Sequence, residues 1–329
     1  MFEVILNNDK KFKCDSNTTI FEAAKKSHFF LEHSCLTARC RSCVVKVLSG
    51  KTENIQEELV LTDKERNNNF VLSCNAKPLT DLKLDIEDIG DVTLYEKKIF
   101  PAKINKIEKV TKNVIKIVFR LPPTSNFKFN SGQYVNLIKG SINRSYSIAN
   151  SSNHNNKLEF YIKKYENGLM SKYWFEEAKV NDLLRVEGPL GSFFLRESKY
   201  ENIIFLATGT GIAPIKSILE KIKESAENKY QNKIFWIFVG ARHKEDLLWK
   251  PNISNIRINY IPVLSRENNN WEGEKGYVQN IVLKKNIDLK NAQVYACGSN
   301  EMIQSAKEIL LKNSLKENNF FSDAFVQTN

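Results

Sequence analysis

Glycine is scarce in this 329-residue chain, with only 13, so any place where glycines cluster reports a backbone requirement. No stretch approaches the roughly 18–20 continuous apolar residues that a membrane-spanning helix needs, and the N-terminus lacks the basic-then-apolar order of a secretory signal. Met1-Phe2-Glu3-Val4-Ile5-Leu6 reads instead as a first strand closed by the turn formers Asn7-Asn8-Asp9. The expectations are no membrane and a cytoplasmic location. Histidine is also sparse: His28, His33, His154 and His243 form no sequence-local metal or triad pattern and read as surface or core residues. Lys and Arg outnumber Asp and Glu by 49 to 38, but residues 1–90 hold 13 basic and 14 acidic side chains, so the excess lies downstream. There the lysines scatter without interleaved aromatics, which sets nucleic acid aside and suits a phosphate-rich cofactor. The length allows two or three domains.

Six cysteines are present, and in a cytosolic chain a cluster of them suggests metal more than disulfides. Cys35, Cys40 and Cys43 have the spacing C-x4-C-x2-C, and Cys74 follows after 30 residues, the arrangement that holds a 2Fe–2S cluster. A structural zinc site usually takes two close pairs, whereas here a triplet stands with one distant single. Cys14 lies outside the spacing and reads as an ordinary thiol. Thr18-Thr19-Ile20-Phe21-Glu22-Ala23-Ala24 reads as a capped helix after a two-strand hairpin, and Cys43 to Gly50 as a strand leaving the cluster. On these residues, positions 1–90 resemble the plant-type ferredoxin family, which implies a β-grasp fold. That family often has glycine where Ala38 and Arg41 stand, so Ala38 is expected to need an unusual backbone angle and Arg41 to bring a cation near the cluster.

A polar stretch, Tyr95-Glu-Lys-Lys98, separates this segment from strand-like runs at 102–110 and 114–119 that alternate apolar and polar, as an antiparallel barrel would. Arg144-Ser-Tyr-Ser147 is the R-x-Y-S set of ferredoxin–NADP reductase-type flavoproteins, and the segment resembles their FAD domain. Arg144 can pair with a pyrophosphate, Tyr146 can pack on the flavin ring, and Ser147 can hydrogen-bond near N5. Gly168-Leu-Met170-Ser171 opens a helix-like run whose N-terminal amides and hydroxyl suit a phosphate, and Glu187-Gly-Pro-Leu-Gly-Ser-Phe193 matches the G-P-x-G-x-F element of such barrels.

Next, the apolar run 202–207 leads into Thr208-Gly209-Thr210-Gly211-Ile-Ala-Pro214 and a helical pattern through Ile215, Ile218, Leu219 and Ile222, a strand–glycine turn–helix crossover for a dinucleotide. Gly209 and Gly211 are both expected to let backbone approach a pyrophosphate. Further buried strands at 233–239, 256–261 and 293–296 predict a parallel sheet. The family resemblance thus spans nearly the whole chain. It implies that Arg242, Ser265 and Arg266 line the adenosine end and that Cys297 and Gly298 line the nicotinamide end. It also implies that Phe325 lies against the flavin until nicotinamide displaces it. Cys297 as a plain buried thiol and Phe325 as part of a last core strand are the alternatives. Arg242, Ser265 and Arg266 could clasp a 2′-phosphate, which leaves NADPH open, but Trp271-Glu-Gly-Glu-Lys-Gly-Tyr277 resembles NADH-using relatives more, so NADH is favoured.

The expected architecture is therefore multidomain α+β and α/β. It comprises a β-grasp ferredoxin over 1–92, an antiparallel FAD-binding β-barrel over 98–197 and a parallel-sheet NAD(P)H-binding domain over 198–329. The predicted activity passes electrons from NADH to FAD, to the 2Fe–2S cluster and to a separate protein, with Ser147, Cys297 and Phe325 as catalytic candidates. The order of modules and the Phe-Ser-Asp-Ala-Phe tail resemble the CDP-6-deoxy-Δ3,4-glucoseen reductase group, which serves a dehydrase making 3,6-dideoxyhexoses. Reductase components of aromatic-ring dioxygenases and multicomponent monooxygenases share the order. A sodium-pumping quinone reductase subunit is set aside by the missing N-terminal anchor. A non-catalytic cluster-carrying sensor or scaffold is the reading from another class.

Overall fold

Phe2–Ile5 (β1) and Lys11–Cys14 (β2) pair antiparallel, with Val4, Phe12 and Cys14 buried on the inner face. The chain, described here by a computed structural model over residues 1–90, 92–153, 156–225, 228–267 and 271–325, then enters a helix, Ile20–Lys26 (α1). Thr19 and Glu22 close a capping box at its start, and Ile20, Phe21, Ala23 and Ala24 form its buried stripe. Val44–Ser49 (β3), Thr52–Asn54 (β4), Asp63–Asn67 (α2), Phe70–Leu72 (β5), Ala76–Pro78 (β6) and Leu82–Leu84 (β7) follow. The main sheet runs β2-β1-β7-β3-β5, with β1 and β7 parallel and the other pairs antiparallel, while β4 and β6 form a separate ribbon. This is the β-grasp order. Its core joins Val4, Leu6 and Phe12 to Ile20, Ala24, Val45, Leu82 and Leu84.

Residues 94–325 form a second body. Lys98–Thr111 (β8), Val114–Arg120 (β9), Tyr134–Lys139 (β10), Ile142–Ser147 (β11), Lys157–Lys163 (β12), Leu169–Lys172 (α3) and Leu183–Leu190 (β13) build its first half. The sheet order is β11-β10-β13-β8-β9-β12, antiparallel throughout. Its outer strands β11 and β12 also approach each other, so the sheet curls into a barrel. Phe119, Phe160, Ile117, Val135, Leu137 and Trp174 fill its interior.

The second half holds Asn202–Thr208 (β14), Ile212–Glu224 (α4), Ile234–Ala241 (β15), Arg257–Leu264 (β16), Glu274–Lys275 (β17), Val278–Lys284 (α5), Ala292–Gly298 (β18), Asn300–Lys312 (α6) and Phe320–Ala324 (β19). All six strands are parallel, in the order β17-β16-β15-β14-β18-β19. Strand order reverses direction at β14, and in such sheets ligands bind outside the carboxyl ends at that switch point. No helix among the described residues is long and apolar enough to cross a membrane.

Candidate functional site: a thiol quartet, a barrel rim and a sheet crevice

The loop from α1 to β3 carries three of the four spaced cysteines in an irregular path. Leu36, Ala38 and Arg41 all have φ between 54° and 65°, the left-handed region. Each such non-glycine residue costs about 1–2 kcal/mol, so the expectation for Ala38 is met and extends to Arg41. The reward is that backbone amides face sulfur: Thr37 and Arg39 N–H groups donate to Cys35 Sγ at 3.4 and 3.5 Å, and the Cys35 N–H donates to Cys40 Sγ at 3.3 Å.

The thiols stand in two pairs, Cys35 with Cys40 and Cys43 with Cys74, the latter sulfurs 3.2 Å apart. Within each pair one thiol donates to the other. Cys35 is pushed down to about 5 by the Cys40 hydrogen bond, and Cys40 is pushed up; Cys74 is lowered by the Cys43 hydrogen bond, and Cys43 is raised. Two sulfurs for each of two irons is what a 2Fe–2S cluster takes. A zinc ion would instead gather its ligands around one point, whereas these four thiols divide two and two. The residues fit the cluster. Cys14 stands apart in the core with its thiol pushed up to about 11, chiefly by burial.

Arg41 does not leave a bare cation beside the cysteines. Its guanidinium donates to the Val60 carbonyl and to Glu65, whose backbone and side chain also close the Thr62 capping box of α2. Because α2 buries none of its own side chains, this pair, with Arg66 bound to Glu58 at 3.0 Å, is what ties it down.

At the barrel rim, Arg144 and Tyr146 alternate along β11 and share one face, half-buried, while Ser147 is buried. Tyr146 accepts a hydrogen bond at 2.8 Å from Trp174 Nε1 and meets Trp174 and Phe160 edge-on. Burial lifts its phenol to about 12. The result is a fixed aromatic plate beside an arginine, which fits a flavin with its pyrophosphate. Trp174 was not among the sequence candidates; its only signal was a tryptophan three residues after Ser171.

The segment 168–171 lies against β11, and the expected helix runs on from Leu169–Lys172 through a π-helical stretch at Tyr173–Glu177. One correction concerns Met170, which points into the barrel core and can offer only its backbone; the Ser171 hydroxyl accepts from Tyr165 N–H at 2.9 Å and keeps its own O–H to donate to a phosphate. Gly168 sits at the N-cap.

In the sheet crevice, Thr208 to Gly211 at the end of β14 interlock with Cys297 to Ser299 at the end of β18. The two glycines do different work, contrary to the shared role expected. Gly209 has φ +55° and nothing within 4 Å of where a Cβ would stand, so its surface is open. A Cβ on Gly211 would lie 2.1 Å from the Cys297 carbonyl oxygen, so this glycine serves the close approach of β14 and β18. Gly298 is similarly pressed on Thr208, whose hydroxyl accepts from Ser299 N–H at 3.2 Å. Thr210 lies within the turn, and Pro214 is buried in the first turn of α4. These residues fit a dinucleotide with its pyrophosphate at Gly209.

Cys297 is fully buried, its thiol pushed well up by burial and by Asp323, so it faces the core as an inert neutral thiol. Phe325, just past β19, is half-buried against the same core group, and its N–H donates to Gly298 O at 3.0 Å. Residues 326–329 of the tail, and His154, lie outside the described residues. Exposed Arg242, Ser265 and Arg266 come together where β15 and β16 end, through Ser265 N–H to Ala241 O and Arg266 N–H to Arg242 O at 3.0 and 3.1 Å. Glu267 stands beside them, 3.5 Å from His243 Nδ1 and accepting from Lys244 N–H.

Comparison with known proteins agrees with this division. Residues 4–79 match the 2Fe-2S iron-sulfur cluster binding domain, 101–195 the oxidoreductase FAD-binding domain and 205–308 the oxidoreductase NAD-binding domain. The chain is 37% identical over 316 residues to CDP-6-deoxy-L-threo-D-glycero-4-hexulose-3-dehydrase reductase of Yersinia pseudotuberculosis, covering 96% of this chain and 95% of that protein. It is 28% identical to the phenol 2-monooxygenase reductase component DmpP of a Pseudomonas species, covering 94% and 90%. The Amycolatopsis cytochrome P450 reductase GcoB superposes with a TM-score of 0.72 at 22% identity over 99% of both chains, a likeness of fold.

Proposed function

Because the chain belongs to the family of iron–sulfur flavoprotein reductases that join 2Fe–2S, FAD-binding and NAD-binding domains, we propose that its electrons go to the dehydrase of CDP-3,6-dideoxyhexose synthesis. The protein is an NAD(P)H-dependent oxidoreductase carrying FAD and a 2Fe–2S cluster, and it serves a separate acceptor protein. We divide it into a ferredoxin module at 1–92, a flavin module at 98–197 and a nucleotide module at 198–329. What supports the dehydrase over an oxygenase is the 37% identity, nearly end to end, with a dehydrase reductase, against 28% with a monooxygenase component.

FAD, when bound, supplies the passage between two-electron and one-electron chemistry. In this reading Arg144 holds its pyrophosphate, with the backbone of Gly168, Met170 and Ser171. Tyr146, pinned by Trp174, packs on the ring, and Ser147 offers its hydroxyl near N5. Phe325 shields the ring face, and the backbone of Cys297 and Gly298 bounds the nicotinamide end. Thr208 to Gly211 cradle the dinucleotide phosphates, while Pro214 sets the first turn of α4. Arg242, Ser265 and Arg266 take the adenosine end. Glu267 at the same strand end suits a ribose hydroxyl and repels a 2′-phosphate, which supports NADH.

The test is coupling. Purified chain, NADH and either the CDP-6-deoxyhexulose 3-dehydrase with its sugar nucleotide or an oxygenase component with its substrate are mixed, and product is measured. Product from the dehydrase arm alone is expected; product from the oxygenase arm alone reverses the assignment.

A further inference from the structure

Helix α4 begins at the glycine turn of the crevice and is amphipathic in the ordinary way, with Ile212, Ile215, Ile218, Leu219 and Ile222 buried. Two buried polar residues, Lys216 and Ser217, break that pattern, and Lys216 is only 6% exposed. Its ammonium lies 3.0 Å from Glu159 on β12 of the barrel and 2.6 Å from Glu220 one turn on, and donates to the Ala149 carbonyl at 3.0 Å. The Ala149 contact is a hydrogen bond, while the two carboxylates face the ammonium as ion pairs, Glu159 Oε1 meeting no hydrogen-bond donor among the described residues. Adjacent contacts follow the same line. The Ser217 hydroxyl donates to Asn150 O at 2.6 Å, the Ser151 hydroxyl to Glu224 at 2.6 Å and the Ser151 N–H to Glu220 at 3.3 Å.

All these partners on the barrel side lie at 149–151, immediately after Ser147, or on Glu159, whose backbone N–H is held by the Asn150 side chain and whose carbonyl accepts from Ala149 N–H. Lys216 is five residues from Gly211. The cation therefore joins the strand end that offers Ser147 to the helix that begins at the nucleotide turn. A hydrophobic interface there, such as Val114 and Tyr161 also provide, excludes water but allows sliding. A buried ammonium hydrogen-bonded to one carbonyl and flanked by two carboxylates is tied to those positions, and moving it strands a charge.

We infer that Lys216 is a positioning residue that sets the distance and angle between nicotinamide and flavin during hydride transfer, acting through Ala149, Glu159 and Glu220. The inference rests on the flavin and NADH reading given above and goes beyond it. Geometry of this kind is costly to lose, since a 1 Å misplacement can cost about 100-fold in rate.

The experiment uses the full holoprotein as wild type, Lys216→Met, Lys216→Arg and Glu159→Gln. Flavin reduction by NADH and by 4-deuterated NADH is followed in single turnovers, and amide exchange at 148–151 is followed without NADH. A positioning role predicts that Lys216→Met keeps its FAD and its NADH affinity but reduces flavin about 10- to 100-fold more slowly. It also predicts a larger isotope effect and faster exchange at 148–151, with Lys216→Arg restoring most of the rate. Glu159→Gln, which leaves Lys216 paired with Glu220, is expected to show the same changes in smaller measure and carries the test if Lys216→Met does not fold. Wild-type rates and isotope effects in Lys216→Met, or in Glu159→Gln where Lys216→Met does not fold, overturn the positioning role alone. Wild-type protein that NADH fails to bleach overturns the flavin reading and the positioning role with it.

Discussion

The cluster loop and the sheet crevice solve opposite problems with opposite materials. At the crevice, backbone must come close to backbone, and glycine supplies the room at Gly211 and Gly298. At the cluster loop, amides must turn toward sulfur, yet the left-handed positions 36, 38 and 41 hold Leu, Ala and Arg. At two of the three the strain is held by ties: Arg41 to Val60 and Glu65, and Ala38 within the small core of Cys43, Leu61 and Leu72. Gly211 and Gly298 thus stand where atoms would overlap, and the strain at Ala38 and Arg41 is tolerated where side-chain contacts restrain it.

The largest contrast comes from removing one ligand or one close approach. Cys43→Ser should abolish the cluster's visible and paramagnetic signals while the flavin still bleaches with NADH, because the barrel and crevice contain none of its ligands. Gly211→Ala, with a Cβ 2.1 Å from the Cys297 carbonyl, should destabilise the protein by about 3 kcal/mol or more in urea unfolding and impair NADH-driven flavin reduction. Gly209→Ala meets open space and only a backbone penalty, about 1–2 kcal/mol, so the two alanines separate packing from conformation.

Smaller effects test the strained loop. Ala38→Gly relieves a left-handed residue and is expected to raise stability by up to about 1 kcal/mol. Arg41→Gly relieves a similar angle but cuts both ties, so it should lower stability and loosen α2 in amide exchange. The smallest effect is pH-dependent. The carboxyl of Glu65 is held low in the fold against a burial cost, by Arg41 and by Thr62. Its contribution is present above the ordinary carboxylate value near about 4.3 and disappears as pH falls through the lowered one. Acid unfolding of Glu65→Gln should therefore begin from lower stability at neutral pH and show a flatter dependence on pH.

The two regions were also legible to different degrees. The spacing of Cys35, Cys40, Cys43 and Cys74, the Thr19–Glu22 box and the strand–Gly209–helix order are local patterns, so the parallel sheet could be read directly and the β-grasp through the family resemblance those residues carry. Contacts made by distant residues could not. Lys216 looks like any lysine on a helix until Ala149, 67 residues earlier, comes to it. Trp174 gains a role only when Tyr146 accepts its indole N–H, and Gly211 was credited with a ligand because Cys297 is 86 residues away in sequence. Cys297 faces a core because both faces of β18 are covered, and Met170 because its one-turn helix packs that side on the barrel interior.

The central claim is that one chain holds a two-iron cluster and a flavin and fills both from NADH. Anaerobic titration with NADH, followed by visible absorbance and low-temperature EPR with metal analysis of the same sample, tests it most directly. The account predicts about two irons per chain, loss of flavin colour and the paramagnetic signal of a reduced cluster. Zinc in place of iron, or a flavin that bleaches while iron-bearing protein stays EPR-silent, would contradict it.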